Sequence, residues 1–199
     1  MDKRQQKTRA RLFATILELA SEHPLAELTM SQIAEAAGVH RSTMYEHASS
    51  PTDLLQTALR AELDILRHEY LDEVTDAATA VSAVTRAVLQ HIDDHSAIYV
   101  RGLGSGSESA SLHSMLAGHF QESTRLLLEQ HVLEVPFAVA SVSTETAALA
   151  AAHYVANGTV GAIEVWLGTP QPRDPDAFLA VIGHLVPSWW PTTGNAAVS

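Results

Sequence analysis

The chain has 199 residues, 46% of them hydrophobic, no cysteine and a net charge of −11. That length suits one domain, or a small and a larger domain sharing a helix, with apolar residues enough for a buried core. Disulfide and thiol chemistry are excluded, and no apolar run is long enough to cross a bilayer.

The acidity is unevenly placed. Residues 1–50 hold six Lys/Arg and six Asp/Glu, so the whole excess of acid lies after them. Lys3, Arg4, Lys7, Arg9 and Arg11 fall within nine positions at the start. Such a basic edge can contact phosphates, while the acidic remainder limits indiscriminate adhesion to nucleic acid. This N-terminus has neither the apolar core nor the cleavage site of a secretory signal, and a cytoplasmic protein is expected.

A first helix is expected from about Gln5 to Ser21, with Phe13, Ile16, Leu17 and Ala20 at helical spacing, ended by Pro24. Thr29 can cap a second helix, and Gln32 three positions later can close a capping box. Ile33, Ala34 and Ala37 share a face. Gly38 suits a left-handed turn, with Val39 as the buried hinge. A short helix from Arg41 to His47 turns Met44 inward and Arg41, Ser42, Thr43, Tyr45 and His47 outward or sideways. Short polar side chains and an arginine over an apolar back are the layout of a DNA recognition helix. Ser50 as cap, Pro51 at the first position and Asp53 at the third start a fourth helix, expected to reach about Val74.

Everything further reads helical. Helices are expected over Ala78–His91, Ser96–Leu103, Leu112–Leu133 and Thr144–Leu167. Gly102–Ser111 reads as the most flexible loop, and Glu134-Val135-Pro136 as a break. The last helix starts at the cap Asp174 and runs to about Val186, and a disordered tail is expected after Pro191. No strand alternation and no repeat is present. The expected class is all-α, with a three-helix helix-turn-helix domain (1–50), a larger helical ligand-binding and dimerisation domain (51–190) entered by a long helix, and a tail (191–199).

Ile33-Ala34-x-x-Ala37-Gly38-Val39, then Ser42-Thr43-Met44-Tyr45-x-His47 and Asp53-Leu54-Leu55, resemble the tetracycline-repressor-like (TetR) family of bacterial transcription regulators. The resemblance implies a homodimer on double-stranded operator DNA, released by a small effector bound in the C-terminal domain. The implied function is a ligand-responsive repressor of a pseudo-palindromic operator. The alternative is a helical ligand-binding or interaction protein whose DNA binding is weakened or lost. Two positions depart from the family: Ala48 replaces a large apolar residue, and Pro51 replaces a phosphate-contacting lysine.

Candidate DNA-binding residues are Lys3, Arg4, Thr29, Ser31, Arg41, Ser42, Thr43, Tyr45 and His47, with Arg41 on a base edge and Tyr45 and His47 on phosphate. Small residues on one long helix and a wide apolar surface on the last suggest a four-helix dimer interface. Its candidates are Ala151, Gly158, Gly161, Ile163, Trp166, Phe178, Ile182 and Leu185. Leu66, Leu89, Ile92, Tyr99, Leu103, Met115, His119, Phe120 and Tyr154 are expected to face inward around a mostly apolar effector.

Enzyme chemistry has no constellation behind it. Gly102–Gly106 is no phosphate loop, because no strand precedes it and no lysine follows. His91 and His95 share a helix face at metal-ligand spacing. The general-base glutamate of a helical zinc hydrolase motif is missing, so the pair reads as a solvated helix end. No metal and no cofactor is expected.

Overall fold

A computed structural model describes residues 3–191 apart from 73, 75, 104–108 and 137. The described residues form nine α-helices and no strand: α1 Lys3–Glu22, α2 Met30–Ala36, α3 Arg41–His47, α4 Pro51–Leu71, α5 Ala77–Asp94, α6 Ser96–Leu103, α7 Ser109–Glu129, α8 Thr144–Leu167 and α9 Pro175–Leu185. A short 3-10 turn, Leu25–Glu27, links α1 to α2.

Local signals set the boundaries around the helix-turn-helix. Thr29 Oγ accepts from the Gln32 backbone N–H (3.3 Å), and Gln32 Oε1 accepts from the Thr29 N–H (2.9 Å), so the capping box closes. Gly38 takes φ +62°, a conformation an L-residue adopts only with strain. Ser50 caps α4 through the Asp53 N–H, and Asp53 in turn accepts the Ser49 N–H at 2.8 Å. That last bond, joined by the Ser49 hydroxyl, holds the Asp53 carboxyl below its ordinary range. Pro51 sits where its missing N–H costs nothing.

The helix ends differ from expectation where backbone geometry intervenes. α7 stops at Glu129 rather than Leu133, because His131 turns left-handed (φ +56°) and the Leu127 carbonyl accepts from Val132 and Leu133. α4 stops at Leu71, short of Val74, and α5 continues past His91 to Asp94. Of the expected Gly102–Ser111 loop, Gly102 and Leu103 close α6 and Ser109 opens α7; the intervening 104–108 lie outside the described residues, as does the tail from 192.

Leu12, Ile16, Ile33, Met44, Leu54 and Leu59 are fully buried and join the three N-terminal helices to α4. α4 then continues between α5 and α7. Four polar links tie it sideways along its length. Gln56 meets Ser111, Glu62 meets His95, Arg67 meets His119, and the Leu71 carbonyl accepts from Gln130 at 3.0 Å. No described helix is long and apolar enough to cross a membrane.

Candidate nucleic-acid interface and effector cavity

α3 buries Met44 completely and leaves Arg41, Ser42, Tyr45 and Glu46 exposed, with Thr43 and His47 half-buried. The Arg41 guanidinium lies 5.9 Å from the Tyr45 ring, close enough for a cation–π contact that orients the arginine. Thr29 and Ser31 are exposed at the start of α2.

The basic start of α1 reaches the same surface. Lys3, Arg4, Lys7 and Arg11 line one groove with Gly38, His40, Thr43 and His47. The cations expected to touch phosphate therefore flank the helix expected to read bases. Lys7, Arg11 and His40 belong to this surface although the motif did not single them out; the signal for Lys7 and Arg11 was charge at helical spacing. Glu46 adds the one carboxylate among the groove's described residues, and can accept from a cytosine amino group or repel a phosphate. Ala48 is buried, so a small side chain does fill the plug between recognition helix and core.

A second feature lies in the C-terminal half. A cavity of about 400 Å³ opens between α5, α7, α8 and α9. Val84, Phe120, Leu127, Val155, Leu179 and Trp190 give it apolar walls, and Leu71 at the end of α4 borders it. Three of its hydroxyls are held by their own helices. Thr85 bonds the Val81 carbonyl (2.7 Å), Ser123 the His119 carbonyl (2.9 Å) and Thr124 the Phe120 carbonyl (2.8 Å). The Arg86–Asp176 ion pair sits at the rim.

Of the nine residues expected around an effector, Phe120 alone borders this cavity. Leu89, Ile92, Tyr99, Leu103 and Met115 are packed core. Leu66 is half-buried along a different groove, beside Glu62. His119 is buried with Nδ1 3.4 Å from Arg67; burial first, then the Arg67 charge, drives its pKa from 6.5 down to about 4. Tyr154 is corrected outright: it is 69% exposed and faces away from the interior. Periodicity separates inside from outside, but not the inward residues that pack from those that border a void. The missed lining was signalled by Thr85, Ser123, Thr124 and Thr159, short hydroxyl residues on otherwise apolar faces.

The expected dimer surface needs a similar correction. Ile163, Trp166, Phe178 and Ile182 are buried within the single chain, Trp166 and Phe178 ring to ring at 5.6 Å. The outer face of α8 is instead Tyr154, Gly158, Gly161 and Val165, at intervals of four, three and four, with Ala151 half-buried beside it. Val181 and Leu185 of α9 are exposed and share a groove with Val165, which is itself 75% exposed. Ala151, Gly158, Gly161 and Leu185 of the expected residues lie on or beside this outer surface.

His91, His95 and Tyr99 form a compact polar group against α4. The Tyr99 hydroxyl lies 3.0 Å from His91 Nε2, and burial pushes the Tyr99 pKa up. Burial, with the nearby His95 and His119 second, drives His91 from 6.5 down to about 3 and holds it neutral.

Residues 12–58 match the model of the family described as bacterial regulatory proteins, tetR family. No curated protein sequence matches the chain. Solved structures with a similar fold include the Thermus thermophilus FadR, a TetR family repressor, in complex with lauroyl-CoA. It aligns with a TM-score of 0.61 at 19% identity, over 89% of this chain and 92% of that one. The fatty acid degradation regulator FadR of Bacillus halodurans gives 0.59 at 17%, over 90% and 94%. A TetR transcriptional regulator from Rhodococcus sp. RHA1 gives 0.61 at 19%, over 90% and 94%. At these identities the likeness establishes the fold.

Proposed function

The helix-turn-helix domain of this chain belongs to the TetR family of bacterial regulatory proteins, and on that premise we propose a homodimeric repressor that reads a pseudo-palindromic operator and is released by a small apolar effector. The observation that carries the reading is the shared groove of α3 and the basic start of α1. On the exposed side of α3 beside it, Arg41 contacts a base edge and Ser42 adds base or phosphate bonds together with Thr43 of the groove, while Lys3, Arg4, Tyr45 and His47 hold the backbone. Ser31 offers a hydroxyl to phosphate at the start of α2, and Thr29, its own hydroxyl held by Gln32, sets that helix end against the backbone.

Dimerisation is supported by the exposed apolar faces of α8 and α9, which would be covered by the same faces of a second copy about a two-fold axis. Effector binding is supported by the apolar cavity bordered by Leu71, whose size suits a small organic ligand. The Thermus relative holds lauroyl-CoA, which makes acyl compounds the first probes to try. The domain boundaries, 1–50 and 51–190, follow the division of labour between the groove and the cavity.

Operator selection from random DNA tests the reading. A palindromic product with half-sites about one helical turn apart, or a multiple of it, supports it. Enrichment of no sequence supports the alternative, a helical ligand-binding protein that has lost DNA binding.

A further inference from the structure

His91 in the last turn of α5 and His95, the residue that caps the helix's C-terminal end, both face α4, which contributes Glu62 opposite them. We propose that Glu62, His91 and His95 bind one divalent transition-metal ion of the zinc class, bridging α4 and α5. The third ligand that the histidine pair lacks along the sequence is supplied in space by Glu62, 29 positions before His91.

The donor set and its spacing suit such an ion. Two imidazole nitrogens and a carboxylate oxygen make the three-ligand set zinc takes when a water fills its fourth position. One Glu62 oxygen, Oε2, lies 3.4 Å from His91 Nδ1 and 3.0 Å from His95 Nε2. Ligand atoms about 2.0–2.1 Å from a tetrahedral metal stand roughly 3.3 Å apart, close to both values. The two nitrogens lie within 4.8 Å of each other, and His95, only partly buried, can turn to close that edge. Among the described residues no other three His, Asp or Glu side chains come together in this way.

The surroundings complete the site. With Nδ1 on the metal, His91 donates its Nε2–H to the Tyr99 hydroxyl, the kind of contact that fixes the ring and tautomer of metal-binding histidines. The site opens to a groove lined by Tyr70, Gln90 and Asp94, which provides an entry path and room for water. Arg86 borders the same groove with its charge turned to Asp176. An ordinary ion pair would use one histidine; here one carboxylate oxygen faces two.

An ion at this point ties α4 to α5. If α4 relays effector binding to the DNA-reading helix, a consequence resting on the proposed function, zinc biases the same equilibrium. The ion-binding claim stands apart from that reading, and its test needs no DNA.

Full-length protein without a histidine tag, stripped by chelator, is titrated with Zn²⁺ alone in competition with a chromophoric chelator. One Zn²⁺ per chain is expected, with affinity at least tenfold weaker in both His95→Ala and Glu62→Gln. Tyr99→Phe should lose roughly 10- to 100-fold, the usual effect of removing a ligand's hydrogen-bond partner. Co²⁺ in place of zinc should give the visible absorption of a tetrahedral centre, lost in the same variants. Glu62→Gln alters a partly exposed side chain and carries the test should His95→Ala misfold. Absence of one-to-one saturation overturns the site. So does unchanged affinity in both variants, which places the ion on other histidines. Operator affinity with and without Zn²⁺ is a separate arm: no change there, with binding intact, overturns the regulatory consequence alone.

Discussion

Arg101 of α6 donates to the Ser21 carbonyl at 2.9 Å, and to that of Ala20 beside it, so its guanidinium closes the C-terminal end of α1. The last carbonyls of a helix have no partner within it, and a cation there also meets the negative end of the dipole. Because α1 carries the basic start and α6 belongs to the C-terminal half, this side chain adds a polar tie to the apolar packing that seats the DNA-binding domain on the rest.

Arg101→Ala should therefore lower stability by about 1 kcal/mol, below the roughly 1.5–3 kcal/mol of buried charged hydrogen bonds because Arg101 is exposed. Chemical denaturation would measure it. Arg101→Lys should recover part of the loss, and no loss in either variant would mean that water replaces the guanidinium.

Arg41→Ala is expected to cost roughly 1–3 kcal/mol of operator affinity and to relax sequence preference at one position per half-site. Lys7→Ala should weaken all sequences alike and reduce the salt slope by about one. Anisotropy titrations on selected and scrambled DNA at several salt concentrations distinguish the two roles. Uniform loss in Arg41→Ala would reassign that residue to the backbone.

The helix-turn-helix was readable because each boundary is set by neighbours in sequence. Thr29 with Gln32, Gly38, and Ser50 with Pro51 and Asp53 are local devices, and each expected cap forms. The C-terminal half was less legible. Ile163 and Val165 are both apolar on α8, yet one is fully buried and the other lies open. Only the packing of α7 and α9 decides between them. The Glu62 carboxylate beside His91 and His95 depends on how α4 and α5 meet, which no spacing along the chain reveals.

Gly161 tests the dimer cleanly. A Cβ built there meets nothing within 4 Å in the single chain, so a side chain can leave the helix there without a clash at its first atom. On the exposed face of α8, Gly161→Arg should give monomers by sedimentation, with operator binding lost because one half-site offers too few contacts. A dimer that persists with the arginine in place moves the interface elsewhere.

Gly102 has the opposite surroundings. A Cβ there would overlap Leu112 Cδ1, the end of a flexible side chain, and crowd its Cγ at 3.2 Å, so Leu112 must shift to admit it. Gly102→Ala should cost about 1–3 kcal/mol by overpacking. A combined Gly102→Ala and Leu112→Ala variant should show a smaller loss than the two single effects summed, by denaturant midpoints.

The buried His119 makes stability depend on pH in a stated direction. Its folded pKa of about 4 lies below the 6.5 of the free side chain. Between those values the unfolded chain binds a proton that the folded chain refuses, so stability falls as pH drops from 6.5 toward 4. The full loss is on the order of 3 kcal/mol, complete below pH 4. His119→Gln keeps an acceptor for Arg67 but cannot titrate, and should reduce the pH dependence of the urea midpoint between pH 7 and 5 by about half, the buried His91 supplying the rest. Parallel curves for variant and parent would show that other groups set the slope.

The effector cavity gives the final prediction. For any compound that releases the operator, a coupling of about 1–3 kcal/mol corresponds to roughly 5- to 150-fold weaker DNA binding, and operator must weaken the compound by the same factor. Thr159 borders the cavity from α8, where a longer side chain has room to enter. Thr159→Met should shrink the ratio of operator affinities measured without and with the compound, by occupying the space it needs. Tyr99 packs in the core and does not border the cavity, so Tyr99→Phe should leave that ratio at its parental value. A reversed pattern, with Tyr99→Phe abolishing release and Thr159→Met responding like the parent, would move the effector out of this cavity and toward the His91–Tyr99 group.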